Sequence, residues 1–341
     1  MNTLLRAFSQ ATLFLSPCVG LAACGSSDSP AGTGGAPGSA GASSVGASGS
    51  SSVAGAGTGD SSLLVGSFQL KVTPATDVAA ASTTLVGKVY DGATPAATLW
   101  VSPQKDGACT LTTPSVPFCN TACGGSAVCV ADDTCQDYPT AHGVGTVTVT
   151  GVQTSDGQSS FTMTPIANNY QPTASLAYPP FADGDAVTVA AAGDFFPAFS
   201  LSSKGVAPLA LTSSAFALKS GQSLDLAWTK GGAGNSTIHV KLDISHHGGS
   251  KGQIECDTDD SGTLSISAAL ISKLLDLGVA GYPSVIVTRQ AVGATTISAG
   301  RVELVVSSVV ERAVTVDGVN SCTDDDDCPT GQTCQTDLTC K

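Results

Sequence analysis

Charged and aromatic residues are scarce in this 341-residue chain, and each shortage narrows the possible folds and partners. Charged residues make up 12% of the sequence and aromatic residues 5%, and 14 Lys+Arg against 27 Asp+Glu leave a net charge of −13. This acidic balance excludes nucleic-acid binding, because a phosphate backbone would be repelled. Glutamate is present only as Glu255, Glu303 and Glu311. Since Asp favours turns and Glu favours helix interiors, the composition predicts strands and loops.

Cysteine, in contrast, is abundant. Twelve cysteines in one chain argue against a reducing cytosol unless they hold metal. The length is sufficient for two domains. The sequence therefore predicts an exported protein with more than one folded unit.

The N-terminus indicates how the chain is exported. Residues 1–23 carry one early cation, Arg6, and then a mildly apolar stretch ending in small residues, which is the layout of a secretory signal peptide. Its end, Leu21-Ala22-Ala23-Cys24, resembles the lipobox of bacterial lipoproteins, and the resemblance implies that Cys24 is acylated as the first mature residue. Several acyl chains on one residue suffice for stable membrane anchoring. Cys18 would leave with the signal, and Gly25 in place of an aspartate favours the outer membrane.

Two further interpretations concern this end of the chain. The alternative to a lipidated cysteine is an ordinary cleaved signal with a cysteine there by chance. Residues 24–61, which follow, are nearly all Gly, Ser and Ala and hold no aromatic residue, so they cannot bury enough surface to fold. They are predicted to be a disordered tether with a reach of about 35 Å.

In the rest of the chain, apolar and polar residues alternate in short segments, as in strands with one solvent-exposed face. Gly, Asp and Pro separate these segments. These features predict an all-β protein with two antiparallel β-sandwich domains, residues 62–204 and 205–312. The predicted strands are Phe68–Val72, Thr84–Tyr90, Gly145–Gly151, Ser160–Thr164, Ala186–Ala190, Ser223–Trp228, Thr237–Ile244, Gln253–Asp257, Thr263–Ile266, Ser284–Arg289 and Arg301–Ser307.

The second domain has two further marks. Its strands, with one early tryptophan at Trp228, resemble an immunoglobulin- or fibronectin-type sandwich. The resemblance implies that Trp228 belongs to the core. One short helix is predicted over Ala268–Leu277, with Ser267 as its N-cap.

The remaining ten cysteines are disulfide candidates in an oxidising compartment: Cys109, Cys119, Cys123, Cys129, Cys135, Cys256, Cys322, Cys328, Cys334 and Cys340. The last four lie in a tail, residues 313–341, that has no apolar run and therefore needs covalent staples. Their connectivity stays open. The run Cys322–Cys334 resembles the cysteine-rich modules related to the Dickkopf N-terminal region.

The other six candidates raise two alternatives. Five lie between Cys109 and Cys135, and this odd number requires one of them to pair with Cys256 if all are oxidised. The four cysteines from Cys119 to Cys135 could instead form a zinc knuckle, although no histidine is interleaved.

Clustered aspartates give the strongest candidate for a metal site. Asp257, Asp259 and Asp260 stand in an Asp-x-Asp-x-Ser-Gly order, which resembles the start of an EF-hand loop and implies a calcium site built from hard oxygen ligands. The run Asp324–Asp327 could do the same. The alternative for the first cluster is a solvated acidic turn between two strands.

The histidines and aromatic residues offer weaker sites. The run Ser245-His246-His247-Gly248-Gly249 resembles one piece of the metallo-β-lactamase fold but lacks that family's upstream histidine cluster, so two solvent-facing imidazoles are expected. Trp100, Tyr170 and Tyr178 could stack on a sugar.

No motif predicts a catalytic residue, since neither a Gly-x-Ser-x-Gly turn nor a phosphate-binding loop occurs. The sequence therefore predicts a lipid-anchored cell-envelope lipoprotein, more consistent with the outer than the inner membrane. It would act as a non-catalytic binding or structural module. Its partners would be the membrane, through the anchor, and an unidentified protein or polysaccharide; no cofactor other than the candidate calcium is implied. The alternative is an envelope hydrolase or a calcium-dependent glycan-binding protein.

Overall fold

The computed structural model describes residues 63–213 and 215–341. The predicted signal peptide, Cys24 and the tether lie outside these ranges. Within them, no helix has the length and apolar character that crossing a bilayer requires.

A large sheet is the central element of the fold. Its ten strands, numbered in chain order and given in their order across the sheet, are β3 (Leu99–Asp106), β4 (Cys109–Ser115), β15 (Gln253–Asp259), β14 (Thr237–Asp243), β17 (Ser284–Ile297), β18 (Gly300–Val316), β1 (Leu64–Thr73), β2 (Ser82–Tyr90) and β7 (Ala141–His142), with β12 (Phe216–Leu218) also paired to β18. All neighbours are antiparallel except that β18 runs parallel to both β1 and β12. The long strand β18, near the end of the chain, therefore pairs with the first strand, β1.

Smaller sheets complete the fold. A four-stranded sheet has the order β11 (Phe199–Lys204), β10 (Ala186–Ala191), β8 (Val147–Thr150) and β9 (Ser160–Met163), and two-stranded pairs form between β13 (Leu224–Ala227) and β16 (Thr263–Ile266) and between β5 (Ala127–Ala131) and β6 (Thr134–Asp137). The helix α1 spans Ala268–Asp276, and its predicted cap is confirmed, because the Ser267 side chain accepts a hydrogen bond from the Leu270 amide. The all-β prediction is confirmed.

Two hydrophobic cores lie along the large sheet. The first is built mainly by β1, β2 and the four-stranded sheet, and the second by β12–β17 and α1. In the segment that leads to β12, Val206 belongs to the first core and Leu209 to the second, close to the predicted boundary at residues 204 and 205. On β18, Val306 belongs to the first core and Val310 to the second. The two cores thus share one sheet, and the hairpin β3–β4, from the first predicted domain, packs on the second core.

The four-stranded sheet crosses the large one at a glycine. A Cβ atom at Gly293 of β17 would stand 1.8 Å from the Ser202 carbonyl oxygen of β11, so no side chain fits there. Next to this crossing the Ser203 hydroxyl donates to the Ala291 carbonyl at 3.0 Å. The bare backbone of Gly293 is what allows the two sheets to meet so closely.

Five disulfides pair all ten candidate cysteines: Cys109–Cys256, Cys119–Cys129, Cys123–Cys135, Cys322–Cys334 and Cys328–Cys340. Cys109 and Cys256 face each other across β4 and β15 and are both buried. This bond is the link to Cys256 that the odd cysteine count requires, and it joins the two predicted domains.

Candidate ligand-binding groove

The cystine-rich tail docks on the loop that precedes β17. The Ser321 hydroxyl donates to the Gly281 carbonyl at 2.6 Å, and the Gly281 amide donates to the Asp337 carbonyl at 2.7 Å. The hydroxyls of Tyr282 and Thr323 share a hydrogen bond of 2.7 Å. With two disulfides inside it, the tail is thereby held as a fixed wall beside the sheet.

A groove of about 640 Å³ lies between this tail and the end of β18. Its volume is in the range of ordinary ligand sites. It is lined by Tyr282, Pro283, Ala313, Val314, Thr315, Val316, Val319, Asn320, Ser321, Asp327, Cys328 and Pro329. The Val314 amide already donates to the Pro283 carbonyl at 2.9 Å. At that position the groove therefore has no open strand edge, and the Val314 side chain itself is buried in the second core.

Acidic residues border the groove. The aspartates Asp324–Asp327 lead into and form a single 3-10 turn, and several bind backbone amides of the tail itself: Asp325 Oδ1 accepts from the Cys334 amide at 2.8 Å and Asp327 Oδ2 from the Thr323 amide at 2.7 Å. Residues 322–341 contain five Asp and one Lys, a side-chain charge of −4. The run thus stabilises the tail, and its last residue, Asp327, contributes a negative charge to the groove lining.

The histidine loop identified in the sequence lies next to the groove. The Tyr282 amide donates to the His246 carbonyl at 2.8 Å, and the rings of His246 and His247 are 3.9 Å apart. The buried Ser245 hydroxyl donates to Asp243 Oδ1 at 3.0 Å and is therefore not bonded to an imidazole. The metallo-β-lactamase-like run is a turn that supports the groove wall.

The three predicted calcium ligands are not brought together. Asp257 and Asp259 lie on β15, which extends further than the predicted strand, and Asp257 Oδ1 is 2.9 Å from His239 Nδ1. Asp260 is turned into the protein and is buried. Asp257 and Asp259 share the exposed face of β15, whereas Asp260 is buried, so the three carboxylates do not face one site.

Asp260 belongs instead to a buried network with Arg289. Its carboxylate accepts hydrogen bonds from Arg289 Nε at 2.7 Å, Trp228 Nε1 at 2.7 Å, the Ser236 hydroxyl at 2.8 Å and the Gly231 amide at 3.1 Å. Burial raises the pKa of the Asp260 carboxyl, but the hydrogen bonds from Arg289, Ser236 and Trp228 outweigh burial, so its pKa lies below the ordinary 3.8. A carboxylate with so many internal partners is structural.

Two cysteine groups have thiol positions close enough to hold a metal. Among the described residues they are Cys119, Cys123 and Cys129, and Cys322, Cys328 and Cys340. Every one of these sulfurs is bonded in a disulfide. A zinc knuckle needs free thiolates, so this alternative does not fit the oxidised protein.

The aromatic residues considered for sugar stacking differ in their exposure. Trp228 is buried in the second core, as predicted. Tyr170 was predicted to be accessible, and this was wrong: it is fully buried, and its hydroxyl donates to the Gly145 carbonyl and accepts from the Val144 amide. Trp100 and Tyr178 are about one-third exposed. The groove-lining Tyr282 was not identified from the sequence, because nothing local distinguishes it from other loop aromatics.

These features define an all-β protein with a sandwich-like arrangement of sheets and a disulfide-stapled tail. No protein-family model matches the chain, and no curated protein matches it. Among solved structures, trypsin-activated alpha-2-macroglobulin from Escherichia coli aligns with 74% of this chain at 12% identity and a TM-score of 0.18. The chain spans about a fifth of that protein, covering 20% of it. At this TM-score the likeness supports no conclusion about fold or function.

Proposed function

We propose that this protein is a lipid-anchored lipoprotein of the cell envelope, favouring the outer membrane, and that it acts as a non-catalytic binding module. The groove between the tail and β18 carries the proposal, since it combines a ligand-sized volume with walls fixed by disulfides and hydrogen bonds. A pre-formed site loses little entropy on binding. The Dickkopf-like tail then has a definite role, because it supplies one wall of the site.

The expected occupant is an extended, basic segment of another envelope protein. Val316, Val319 and Pro329 together with Tyr282 give the groove an accessible apolar surface, which suits the side chains of an extended peptide. Asp327 lines the groove at the end of the acidic run Asp324–Asp327, and its charge complements lysine or arginine next to those apolar residues. Most of the lining residues are apolar, which suits the side chains of a peptide better than the hydroxyls of a polysaccharide.

Synthetic peptides test the groove. We expect a fluorescent peptide of alternating Val and Pro with flanking Lys to bind the purified protein, measured by anisotropy, and the same peptide with Glu to bind more weakly. Added salt should reduce the difference, because it screens surface charge. Tyr282→Ala should weaken binding roughly tenfold, the effect of losing a contact worth about 1.4 kcal/mol.

The matched control is Thr323→Val, which removes the hydrogen bond of the Tyr282 hydroxyl but leaves the aromatic ring in the groove. It should bind almost as the wild type does. Equal binding of the two peptides, or an unchanged affinity in Tyr282→Ala, would refute the proposed occupant.

Lipid anchoring has its own test. The proposal rests on the sequence Leu21-Ala22-Ala23-Cys24. In bacteria fed radiolabelled palmitate, the wild-type chain and Cys18→Ala should take up label, whereas Cys24→Ala should not. Label that persists in Cys24→Ala would contradict the anchor without affecting the peptide test.

A further inference from the structure

A second exposed feature lies around Gly143 and shares no residue with the groove. Phe195 is 58% exposed, and one face of its ring is stacked on His142, with centroids 3.5 Å apart and planes 9° apart. Its edge meets the buried ring of Phe196 at 4.9 Å in a T-shaped contact. The ring is therefore held in one orientation while much of it remains open to solvent.

The imidazole beneath this ring is fixed as well. His142 Nε2 lies 3.2 Å from Asp91 Oδ2, and Asp91 Oδ1 accepts a hydrogen bond from the Thr140 amide at 2.8 Å. The Asp91 amide in turn donates to the Thr140 carbonyl at 3.0 Å. An aromatic platform positioned in this way binds a ligand without first having to become ordered.

Hydrogen-bonding oxygens surround the same glycine. A Cβ atom at Gly143 would stand 3.0 Å from Asp194 Oδ2 and 3.6 Å from Asn168 Oδ1, so both oxygens lie over a residue without a side chain. The Phe195 amide donates to the Gly143 carbonyl at 3.3 Å, which places the aromatic residue there too. Asn168 Nδ2 donates a hydrogen bond to the Ala141 carbonyl at 2.8 Å. No described residue donates to the Asp194 carboxylate, which is exposed.

We propose that Phe195, Asp194 and Asn168 form a binding subsite for a gluco-configured pyranose unit of a glycan. The equatorial substituents of such a sugar leave a C–H face that packs flat on an aromatic ring, and its hydroxyls can donate to the carboxylate and amide oxygens around Gly143. An apolar peptide side chain fits less well, because it has no hydroxyl group to donate to the Asp194 carboxylate.

The probes are cellotetraose and chitotetraose, titrated by calorimetry into the full chain in a detergent without a sugar headgroup. Binding with a Kd on the order of 1 mM is expected for one stacked unit. Phe195→Ala should weaken it roughly tenfold and Asp194→Ala several-fold, whereas Phe195→Tyr should preserve it. Phe118→Ala, at an aromatic residue that is 69% exposed elsewhere, is the matched control and should not change affinity.

The outcomes separate this subsite from the groove. Sugar binding should survive Tyr282→Ala, since that residue lines the groove only. The proposal is refuted if neither tetrasaccharide shows binding at a sugar concentration of about 10 mM, ten times the expected Kd. It is also refuted if Phe195→Ala binds the sugars as tightly as the wild type does. The Phe195→Tyr variant distinguishes a lost contact from a misfolded protein, since it keeps the stacked ring.

Discussion

Asp260→Asn should destabilise the protein far more than its exposed neighbour Asp257→Asn does. The buried network of Asp260 lies where the two cores meet. On β17, Val287 belongs to one core and Ala291 to the other, and Arg289 stands between them. The Arg289 guanidinium also donates to the Ala207 carbonyl at 3.1 Å, in the segment where the chain passes between the cores.

The size of the effect follows from the donors around the carboxylate. Asp260 Oδ2 accepts from Arg289, Ser236 and Gly231, while Oδ1 accepts from Trp228 and, at 3.3 Å, from Arg289 Nη2. An asparagine can keep only one of these oxygens, so its NH2 group must face N–H donors. Removing one partner of a buried ion pair costs about 3–5 kcal/mol. With an unfolding entropy of about 2.1 cal/mol/K per residue, that corresponds to a Tm lowered by roughly 5–9 °C in a folded body of this size.

The assay is urea and thermal unfolding of the oxidised protein, followed by far-UV circular dichroism. Asp257→Asn is the matched control, because its carboxylate is half exposed and its single contact is His239 at 2.9 Å. Such a surface pair contributes about 0–1 kcal/mol. Arg289→Met combined with Asp260→Asn should cost less than the sum of the two single changes, since neither then leaves a buried charge unpaired.

The pH dependence has a definite sign. Because the pKa of Asp260 is lowered in the folded protein, its contribution is fully present above the ordinary value of 3.8 and is lost as pH falls through the lowered pKa. The gap between wild type and Asp260→Asn should therefore narrow in acid. Equal stability losses in Asp260→Asn and Asp257→Asn at neutral pH would refute the reasoning.

Three further variants test other parts of the fold. Glu303→Gln should gain Tm relative to the wild type as pH rises, because burial outweighs the ion pair with Arg301 Nη1 at 2.6 Å and raises the pKa of Glu303 above 4.5, so that wild-type stability is lost as pH rises through that raised pKa. The gain should vanish in acid, as a thermal melt across pH would show. Replacing both Cys109 and Cys256 by serine should cost about 2–5 kcal/mol in urea unfolding, since their bond closes a loop with a sequence separation of 147. Gly293→Ala should cost about 1–3 kcal/mol, because its Cβ would overlap the Ser202 carbonyl oxygen.

Each of these has a control. Glu311→Gln, at an exposed carboxylate, should leave the Tm unchanged at every pH. Replacing Cys123 and Cys135 should cost less than replacing the cross-sheet pair, because their bond spans only 12 residues. Gly125→Ala has open space around the added methyl group and should be nearly neutral. A control that matched its partner variant would show that the assigned cause is wrong.

Local patterns predicted local structure well. Alternation predicted a strand over Thr237–Ile244, and β14 covers Thr237–Asp243 with Ile238, Val240 and Leu242 fully buried. The cap residue Ser267 marked the start of α1. Both signals are short-range, because a strand face and a helix start are decided by residues close together in sequence.

Long-range pairing could not be predicted in the same way. Alternation shows which side of β18 is apolar, but not that this strand lies parallel to β1 more than two hundred positions earlier. Cysteine parity required a partner for Cys256 without identifying Cys109. A pattern of period two carries no information about the neighbour on either side.

The sequence by itself determined the all-β class, the position of the helix and an oxidised, disulfide-stapled tail. It also led us to predict two units with a boundary near residue 204, whereas the described residues belong to a single compact unit. Only the tertiary structure decided that the units share one sheet, that Asp260 is buried beside Arg289 and that the tail forms a groove with Tyr282. The physical reason is the range of the forces involved. Backbone propensity acts over a few residues, whereas burial and ion pairing depend on neighbours that only the folded chain brings together.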